Sequence, residues 1–150
     1  MRSPRNPALG LLLLRLALAS VMIVHGAQKL FGAFGGVGLT GTATYFGSLG
    51  IPAPEGVVWA VAIAEFAGGI LLLVGLFTSL AAAVIAVVMA GAIAIVHWRN
   101  GFTGPGGYEF PLVNVAAAIA LMLTGPGRYS LDERPGMSEA EALARRKRGG

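Results

Sequence analysis

Four long apolar stretches, at about residues 9–30, 56–76, 79–97 and 109–124, decide the class of fold open to this chain. A helix needs about 20 apolar residues to cross the hydrocarbon layer of a bilayer, and it satisfies its own backbone polar groups there. Of the 150 residues, 55% are hydrophobic and 12% are charged, a balance that excludes an ordinary soluble domain. The sequence therefore predicts an all-α protein, an integral membrane four-helix bundle within residues 1–130.

The distribution of basic residues predicts the orientation of this bundle. Arg2 and Arg5 precede the first stretch and Arg145–Arg148 lie near the end of the chain, whereas the intervening loops on the opposite side carry Lys29 and Arg99. Lys and Arg are enriched on the cytoplasmic side of membrane proteins, so both termini are predicted to be cytoplasmic and the two glycine-rich loops to lie outside. Residues 131–150 are predicted to form a polar, basic and partly disordered cytoplasmic tail. With the charge at the chain ends, we expect contact with the lipid bilayer and no nucleic-acid partner.

The first glycine-rich loop contains a letter-for-letter match to the dinucleotide fingerprint G-x-G-x-x-G, at Gly36–Gly41. That fingerprint functions between a strand and a helix of a βαβ unit, and here it lies between two predicted spans. We therefore interpret it as a surface loop. The following stretch, Thr42–Leu49, is predicted to be a short interfacial helix in which Tyr45, Phe46 and Leu49 share one face.

A single carboxylic acid, Glu65, lies in the middle of the second apolar stretch. A charged side chain at this depth costs free energy unless it is paired, so an acid within a span is taken as a candidate functional residue. Two pairings compete: one with Arg15 of the first span, and one with Lys29 and His25 at the outer end of that span. The structural alternative is that Arg15 and Glu65 form an ion pair that only holds the bundle together.

Further titratable side chains are predicted to gather in one layer near the outer membrane surface. His25 and Lys29 end the first span, His97 ends the third, and Glu109 begins the fourth. Two histidines and a carboxylate beneath glycine-rich loops are suited to proton transfer or ligand binding. No local spacing such as H-x-x-x-H supports a metal site, so none is predicted. Haem ligation by the two histidines has even less support from the sequence.

The chain resembles the DoxX family of small bacterial membrane proteins. The segments that carry the resemblance follow one another in order: His25–Phe31, Leu49–Pro52, Glu65–Gly69, His97, Gly101–Phe102 and Gly106–Glu109. The resemblance implies a four-helix protein of the bacterial cytoplasmic (inner) membrane, similar to the small subunit of a quinone-linked oxidoreductase that oxidises thiosulfate. The positions of the family pattern in this sequence are His25, Lys29, Glu65, His97 and Glu109, with Gln28 and Tyr108 beside them.

Two functions follow as hypotheses. In the first, the protein is the membrane subunit of a redox complex, in which His25 and His97 exchange the protons of a quinone and Glu65 tunes or relays them. The side chains that bind the quinone are Lys29, Gln28, Glu109, Tyr108 and Trp98. The chain has no cysteine, so electrons would come from a redox partner protein. In the second, the protein is a non-enzymatic membrane scaffold or a transport subunit. Small residues such as Gly68 and Gly69 are also compatible with a homo-oligomer.

Overall fold

A computed structural model describes residues 6–52 and 54–133, which fold into helices without any strand. The all-α prediction is confirmed for this part of the chain. Its five main helices are α1 (Pro7–Phe31), α2 (Gly38–Ser48), α3 (Pro54–Val74), α4 (Thr78–Ala92) and α5 (Glu109–Thr124). Short helical segments follow two of them: Ala33–Gly35 after α1, and a π-helical turn, Ile93–His97, with a 3₁₀ turn, Trp98–Asn100, after α4.

Local sequence signals explain where α1 begins and ends. The side chain of Asn6 accepts a hydrogen bond from the backbone nitrogen of Leu9 at 3.2 Å, and Pro7 occupies the first helical position. Both are common features of a helix start, because the first backbone N–H groups have no partner within the helix. At the other end, Gly32 adopts a left-handed conformation with φ of 67°, which glycine adopts without strain and which stops the helix.

Neighbouring helices of the bundle run in opposite directions. We call the end at which α1 finishes, near Phe31, the upper end, and the end at which it starts the lower end. The main contacts of α1 are with α3, those of α4 are with α5 and α3, and α5 also touches α1. The short α2 packs against α3 and α1. Position 26 faces Phe66 and position 69 faces Ile23, a short turn joins α3 to α4, and the chain after α5 returns to the start of α4. The chain therefore passes up, down, up and down through α1, α3, α4 and α5.

Three of the helices described here are long and apolar enough to cross a membrane: α1, α3 and the continuous helical stretch Thr78–Asn100. The fourth long element, α5, is apolar but only 16 residues long. Large apolar side chains also cover the outside of the bundle, for example Val87, Val113 and Leu123. A surface of this kind is compatible with lipid and not with water. The protein is therefore a membrane protein, as its composition predicts.

Two glycines allow α1 and α3 to pack in close contact. A Cβ atom at position 26 would lie 2.5 Å from the backbone nitrogen of Phe66, and one at position 69 would lie 2.9 Å from the backbone nitrogen of Ile23. Both distances are too short for a real Cβ atom, so only glycine fits. Small residues at such contacts let helix backbones approach each other in lipid. This close contact sets the register of α3 against α1.

The predicted interfacial helix exists but differs in two respects. It begins at Gly38 instead of Thr42, and it docks on the bundle through Thr42 and Phe46, which are buried. Tyr45 and Leu49 are exposed, whereas Phe46 is buried. Contact with α3 and α1 determines which side of this short helix is buried within the protein. That Tyr45, Phe46 and Leu49 share a membrane-facing side stays a prediction.

Candidate functional site

An ion pair between α1 and α3 forms the centre of the candidate site. The ammonium nitrogen of Lys29 lies 2.6 Å from Oε2 of Glu65 and donates a hydrogen bond to it. The Glu65 side chain is 3% exposed and that of Lys29 is 18% exposed. Of the two pairings that the sequence left open, the one on the Lys29 side is formed. The close contact at Gly26, one turn before Lys29, brings the two side chains within reach of each other.

Arg15 has different partners at the lower end of the bundle. Its Nη1 donates to the carbonyl oxygen of Pro126 at 2.6 Å and its Nη2 to that of Tyr129 at 2.5 Å. Arg15 is buried, and no carboxylate of the described residues lies within ion-pair distance of it. The predicted alternative of an Arg15–Glu65 pair is therefore not formed. The chain after α5 folds back over the guanidinium and supplies the carbonyl groups that replace a carboxylate.

A second lower-end contact was missed from the sequence. The carboxylate of Asp132 accepts hydrogen bonds from the backbone nitrogens of Phe77, at 2.8 Å, and Thr78, at 3.0 Å. It thereby caps the start of α4, where backbone N–H groups lack helical partners. The only sequence signal was an acid in a polar segment, without an indication that this segment returns to the α3–α4 turn.

The upper half of the bundle encloses a cavity of about 660 Å³. Its polar lining includes five of the residues predicted from the sequence: His25, Gln28, Lys29, Glu65 and His97. The remaining wall is mostly apolar and comes from α3, α4 and α5, with α2 and the loop before it. Polar side chains from α1, from α3 and from the turn after α4 therefore line one space.

His97 is held in a defined orientation by the second glycine-rich loop. Its Nδ1 lies 2.6 Å from the carbonyl oxygen of Gly106, which also accepts a hydrogen bond from Asn100 at 3.0 Å. A carbonyl oxygen can only accept, so Nδ1 is the donor, and in the neutral ring Nε2 carries the free lone pair. His97 ends the π-helical turn after α4, a distortion that is frequent at functional sites.

The other polar groups of the cavity also have fixed neighbours. The ring of His25 stacks on Phe110 of α5, with centroids 5.7 Å apart and an angle of 22° between the planes. Gln28 donates from Nε2 to the carbonyl oxygen of Phe34 at 3.2 Å, which leaves its amide oxygen as an acceptor. The loop after α1 is thus attached to the cavity wall.

Comparison with known proteins identifies the family. The family model named DoxX matches residues 10–98, more than half of the chain. The chain belongs to the DoxX family. It is 33% identical over 124 residues to "Putative oxidoreductase CatD" of Bacillus subtilis (strain 168), covering 83% of this chain and 85% of that protein. It is 32% identical over 130 residues to "Inner membrane protein YphA" of Escherichia coli (strain K12), covering 83% and 89% respectively.

A third relative is "Uncharacterized membrane protein Rv3486" of Mycobacterium tuberculosis (strain ATCC 25618 / H37Rv), with 32% identity over 139 residues, covering 81% of this chain and 78% of that protein. No solved structure gives a significant match. The DoxX match contains His25, Lys29, Glu65 and His97, the charged and titratable members of the cavity lining.

Three predicted ligand-binding residues lie outside the cavity lining of this DoxX protein. Tyr108 stacks on Trp98 with ring centroids 5.3 Å apart, and Phe102 packs edge-on against the same tyrosine. Glu109 is exposed in the first turn of α5, where a negative charge is favourable near the helix start. The three rings form a separate aromatic group at the upper end, and two of them, like Glu109, lie beyond residue 98, where the DoxX match ends.

Metal-binding geometry is not found in the part of the chain that the structure describes. No three His, Asp or Glu side chains come together there in a group able to hold a metal ion. The two histidines line the same cavity, but the acid beside them is engaged by Lys29.

Proposed function

We propose that this protein is the membrane subunit of a quinone-linked redox complex and that the cavity binds the quinone ring. One observation carries the proposal: an apolar cavity of about 660 Å³ holds an ion pair and two histidines drawn from three helices. Small-molecule sites typically have volumes of about 300–1,000 Å³, apolar walls and a few converging polar groups. The name of the Bacillus subtilis relative, which contains the word oxidoreductase, agrees with this class of function.

The polar groups of the lining include a donor and an acceptor suited to the oxygen atoms of a quinone or hydroquinone ring. Lys29 uses one N–H toward Glu65 and has further N–H groups that can donate to a ring oxygen, especially an anionic one. His97 uses Nδ1 toward Gly106, so its remaining hydrogen-bonding atom, Nε2, accepts from a ring hydroxyl. Donor and acceptor are thus both available for the oxidised and the reduced ring.

Proton transfer is the chemistry that this chain would contribute. Conversion of a quinone to a hydroquinone takes up two electrons and two protons. We assign proton exchange to His25 and His97 and assign to Glu65 the role of relaying or tuning it, because imidazoles change protonation near neutral pH. Electrons come from a partner protein, since a chain without cysteine has no thiol couple of its own.

The proposed topology has four spans, both termini in the cytoplasm of a bacterium and the cavity near the outer surface of the inner membrane. The alternating direction of the four long helices and the basic residues at both chain ends support it. At 1.5 Å per residue α5 is about 24 Å long, which local thinning of the bilayer accommodates. The name of the Escherichia coli relative places that protein in the inner membrane.

A second candidate function is a non-enzymatic scaffold or transport subunit. The observation that favours it is the short Lys29–Glu65 contact, since a complete ion pair between two helices is sufficient to hold them together without any ligand. In that case the cavity would be filled by lipid and would not bind a quinone ring specifically.

Purification in mild detergent followed by extraction and mass spectrometry tests the proposal directly. A quinone recovered in a constant ratio to protein, and saturable binding of added quinone, are the expected results. The matched variants are Glu65→Gln in the cavity and Glu55→Gln, which alters an exposed acid in the first turn of the same helix.

Glu65→Gln is expected to weaken quinone binding or quinone-dependent turnover while Glu55→Gln leaves both unchanged. Recovery of lipid alone, with no saturable quinone binding by the unaltered protein, would reject the redox proposal and favour the scaffold. Each variant must elute as a single folded species in size-exclusion chromatography. Unfolding is then not mistaken for a loss of quinone binding.

A further inference from the structure

We infer that the cavity receives its ligand sideways from the lipid, through a slot beside α4, and that the ligand is a hydroquinone-type ring with an apolar tail that lies in this slot. The inference rests on the proposed ring site and adds to it the route of entry and the shape of the ligand.

The rim of the cavity is apolar although its interior is charged. The lining residues that are exposed on the outside of the bundle are glycine, aliphatic or aromatic: Gly35, Val37, Tyr45, Val87, Ile95 and Phe110. The two charged lining residues, Lys29 and Glu65, lie inside. Among the exposed lining side chains of the described residues the Tyr45 hydroxyl is the one polar group, so the opening is compatible with hydrocarbon, whereas a water-filled entrance normally carries several polar groups.

The rim is also elongated along α4. Val87 and Gly91 of α4 and Ile95 of the π-helical turn line the cavity at intervals of four residues and lie on roughly one side of this continuous helical stretch. Eight residues separate the first from the last of them, a distance of about 12 Å at 1.5 Å per residue. Val87 lies about 15 Å along the helix from His97 by the same measure. The opening thus runs down the side of the bundle and is not confined to its upper end.

The packing of the helices explains why this face of α4 is uncovered. Helix α2 packs on α3 and α1, and Val96, in the turn after α4, lies against the Phe46 side of α2. Helix α4 itself packs on α5 and α3. Val87 is 73% exposed and Ile95 is 55% exposed, so no other described helix covers the slot.

The chemistry of the two ends of this space defines the ligand. The upper end offers hydrogen-bonding groups from Lys29, Glu65 and His97, which suit the oxygens of a small ring. The lower end offers only aliphatic surface, which suits an alkyl or prenyl chain. A phospholipid has the chain but not the ring, and it is the competing occupant that the experiment has to distinguish.

Gly91 provides a way to close the slot without disturbing the fold. It lines the cavity, and a Cβ atom built there has no neighbour within 4 Å, so a larger side chain fits in the open space. The test variant is Gly91→Phe and the matched control is Ala90→Phe, since Ala90 is exposed on the same helix but does not line the cavity. Gly91→Leu is a second, smaller obstruction in case the phenylalanine variant does not fold.

The experiment compares two probes in lipid nanodiscs: a substituted hydroquinone with a decyl chain, and the same ring without a chain. The unaltered protein is expected to bind both. Gly91→Phe, or Gly91→Leu, should weaken binding of the chain-bearing probe at least tenfold and that of the ring alone less than threefold, and Ala90→Phe should change neither.

If Gly91→Phe and the unaltered protein bind the chain-bearing probe equally, the proposal that the chain lies in the slot is wrong, whereas the proposed ring site is unaffected. An equal loss of both probes in Gly91→Phe would overturn it as well, because the obstruction would then lie in the ring site. If the unaltered protein binds neither probe and retains a phospholipid that the hydroquinone does not displace, both the proposed function and this inference are rejected.

Discussion

Gly26 of α1 and Phe66 of α3 lie so close that a Cβ atom at position 26 would stand 2.5 Å from the backbone nitrogen of the phenylalanine. This contact fixes the distance and the register between the two helices near their upper ends. Glu65 precedes Phe66 and Lys29 lies one turn after Gly26, so the contact also determines that these two charges meet. The ion pair is thus a consequence of backbone packing between small residues.

Gly26→Ala should destabilise the protein because its methyl group collides with backbone, which cannot move aside as the end of a side chain can. Overpacking of this kind typically costs about 1–3 kcal/mol. The matched control is Gly10→Ala in the same helix, where a Cβ atom has no neighbour within 4 Å. That change should be neutral or stabilising by about 0.5–1 kcal/mol, because alanine favours the helix. Thermal unfolding in one detergent measures both, and equal midpoints would contradict the close contact.

Removing one member of the ion pair should cost more than removing both. Lys29→Met leaves the buried Glu65 without its partner, and breaking such a pair typically costs about 3–5 kcal/mol. The double variant Lys29→Met/Glu65→Gln should recover a large part of this loss, since neither charge then remains. A double-mutant cycle on the free energy of unfolding gives the coupling, expected at about 1–3 kcal/mol. Additive single effects would show that the contact contributes little.

His97→Asn and His97→Gln should separate the two ring nitrogens. The asparagine amide can donate to Gly106 in place of Nδ1 but offers nothing where Nε2 lies, whereas glutamine has the opposite effect. His97→Asn should therefore preserve the loop and weaken binding of a hydroquinone about tenfold, the equivalent of one lost hydrogen bond of about 1.4 kcal/mol. Its binding of the dimethyl ether of the same ring should not change. A similar loss for both rings would mean that Nε2 does not bind the hydroxyl.

Variants at the lower end should affect stability and leave ligand binding unchanged. Asp132→Ala removes the cap of α4 and is expected to cost about 0.5–2 kcal/mol. Arg15→Met removes the donors to Pro126 and Tyr129 and should release the chain that follows α5. Protease cleavage after Arg128 reports on that release, and quinone affinity measured on the same samples should stay within about twofold. Loss of affinity without a change in stability would show that the two ends are coupled.

The sequence predicted the helical membrane fold because apolar runs of this length have few alternatives in a bilayer. It also predicted the polar residues of the cavity, because antiparallel helices bring the end of one next to the start of another. His25 and Lys29 lie at the end of α1 and His97 follows α4, so the alternating helices place these three at the upper end, and the Gly26 contact brings Glu65 to them. Membership of the DoxX family was recognisable from the order of short motifs and is shown by the family match.

The partner of Glu65 was not decided by the sequence, since depth along the helices allowed either Arg15 or Lys29. The decision depends on two features that no periodicity reveals: the glycine contact at Gly26, and the return of the chain to Arg15 after α5. The wall of the cavity at Gly91 was missed for a related reason. Nothing in the sequence distinguishes a glycine that lines a cavity from any other glycine in an apolar helix. Gly91 lines the cavity because no other described helix covers that side of α4.

The Lys29–Glu65 pair has a further consequence for a protein in an energised membrane. Lysine and glutamate together carry no net charge, so the electrical potential across the membrane does little net work on the site as long as the pair is intact. A proton taken up by Glu65 or a histidine changes this balance by one elementary charge, which is worth up to about 2.3 kcal/mol per 100 mV if it crosses the whole field. Binding of a neutral ring should therefore be indifferent to voltage, whereas each proton that enters the cavity is subject to it.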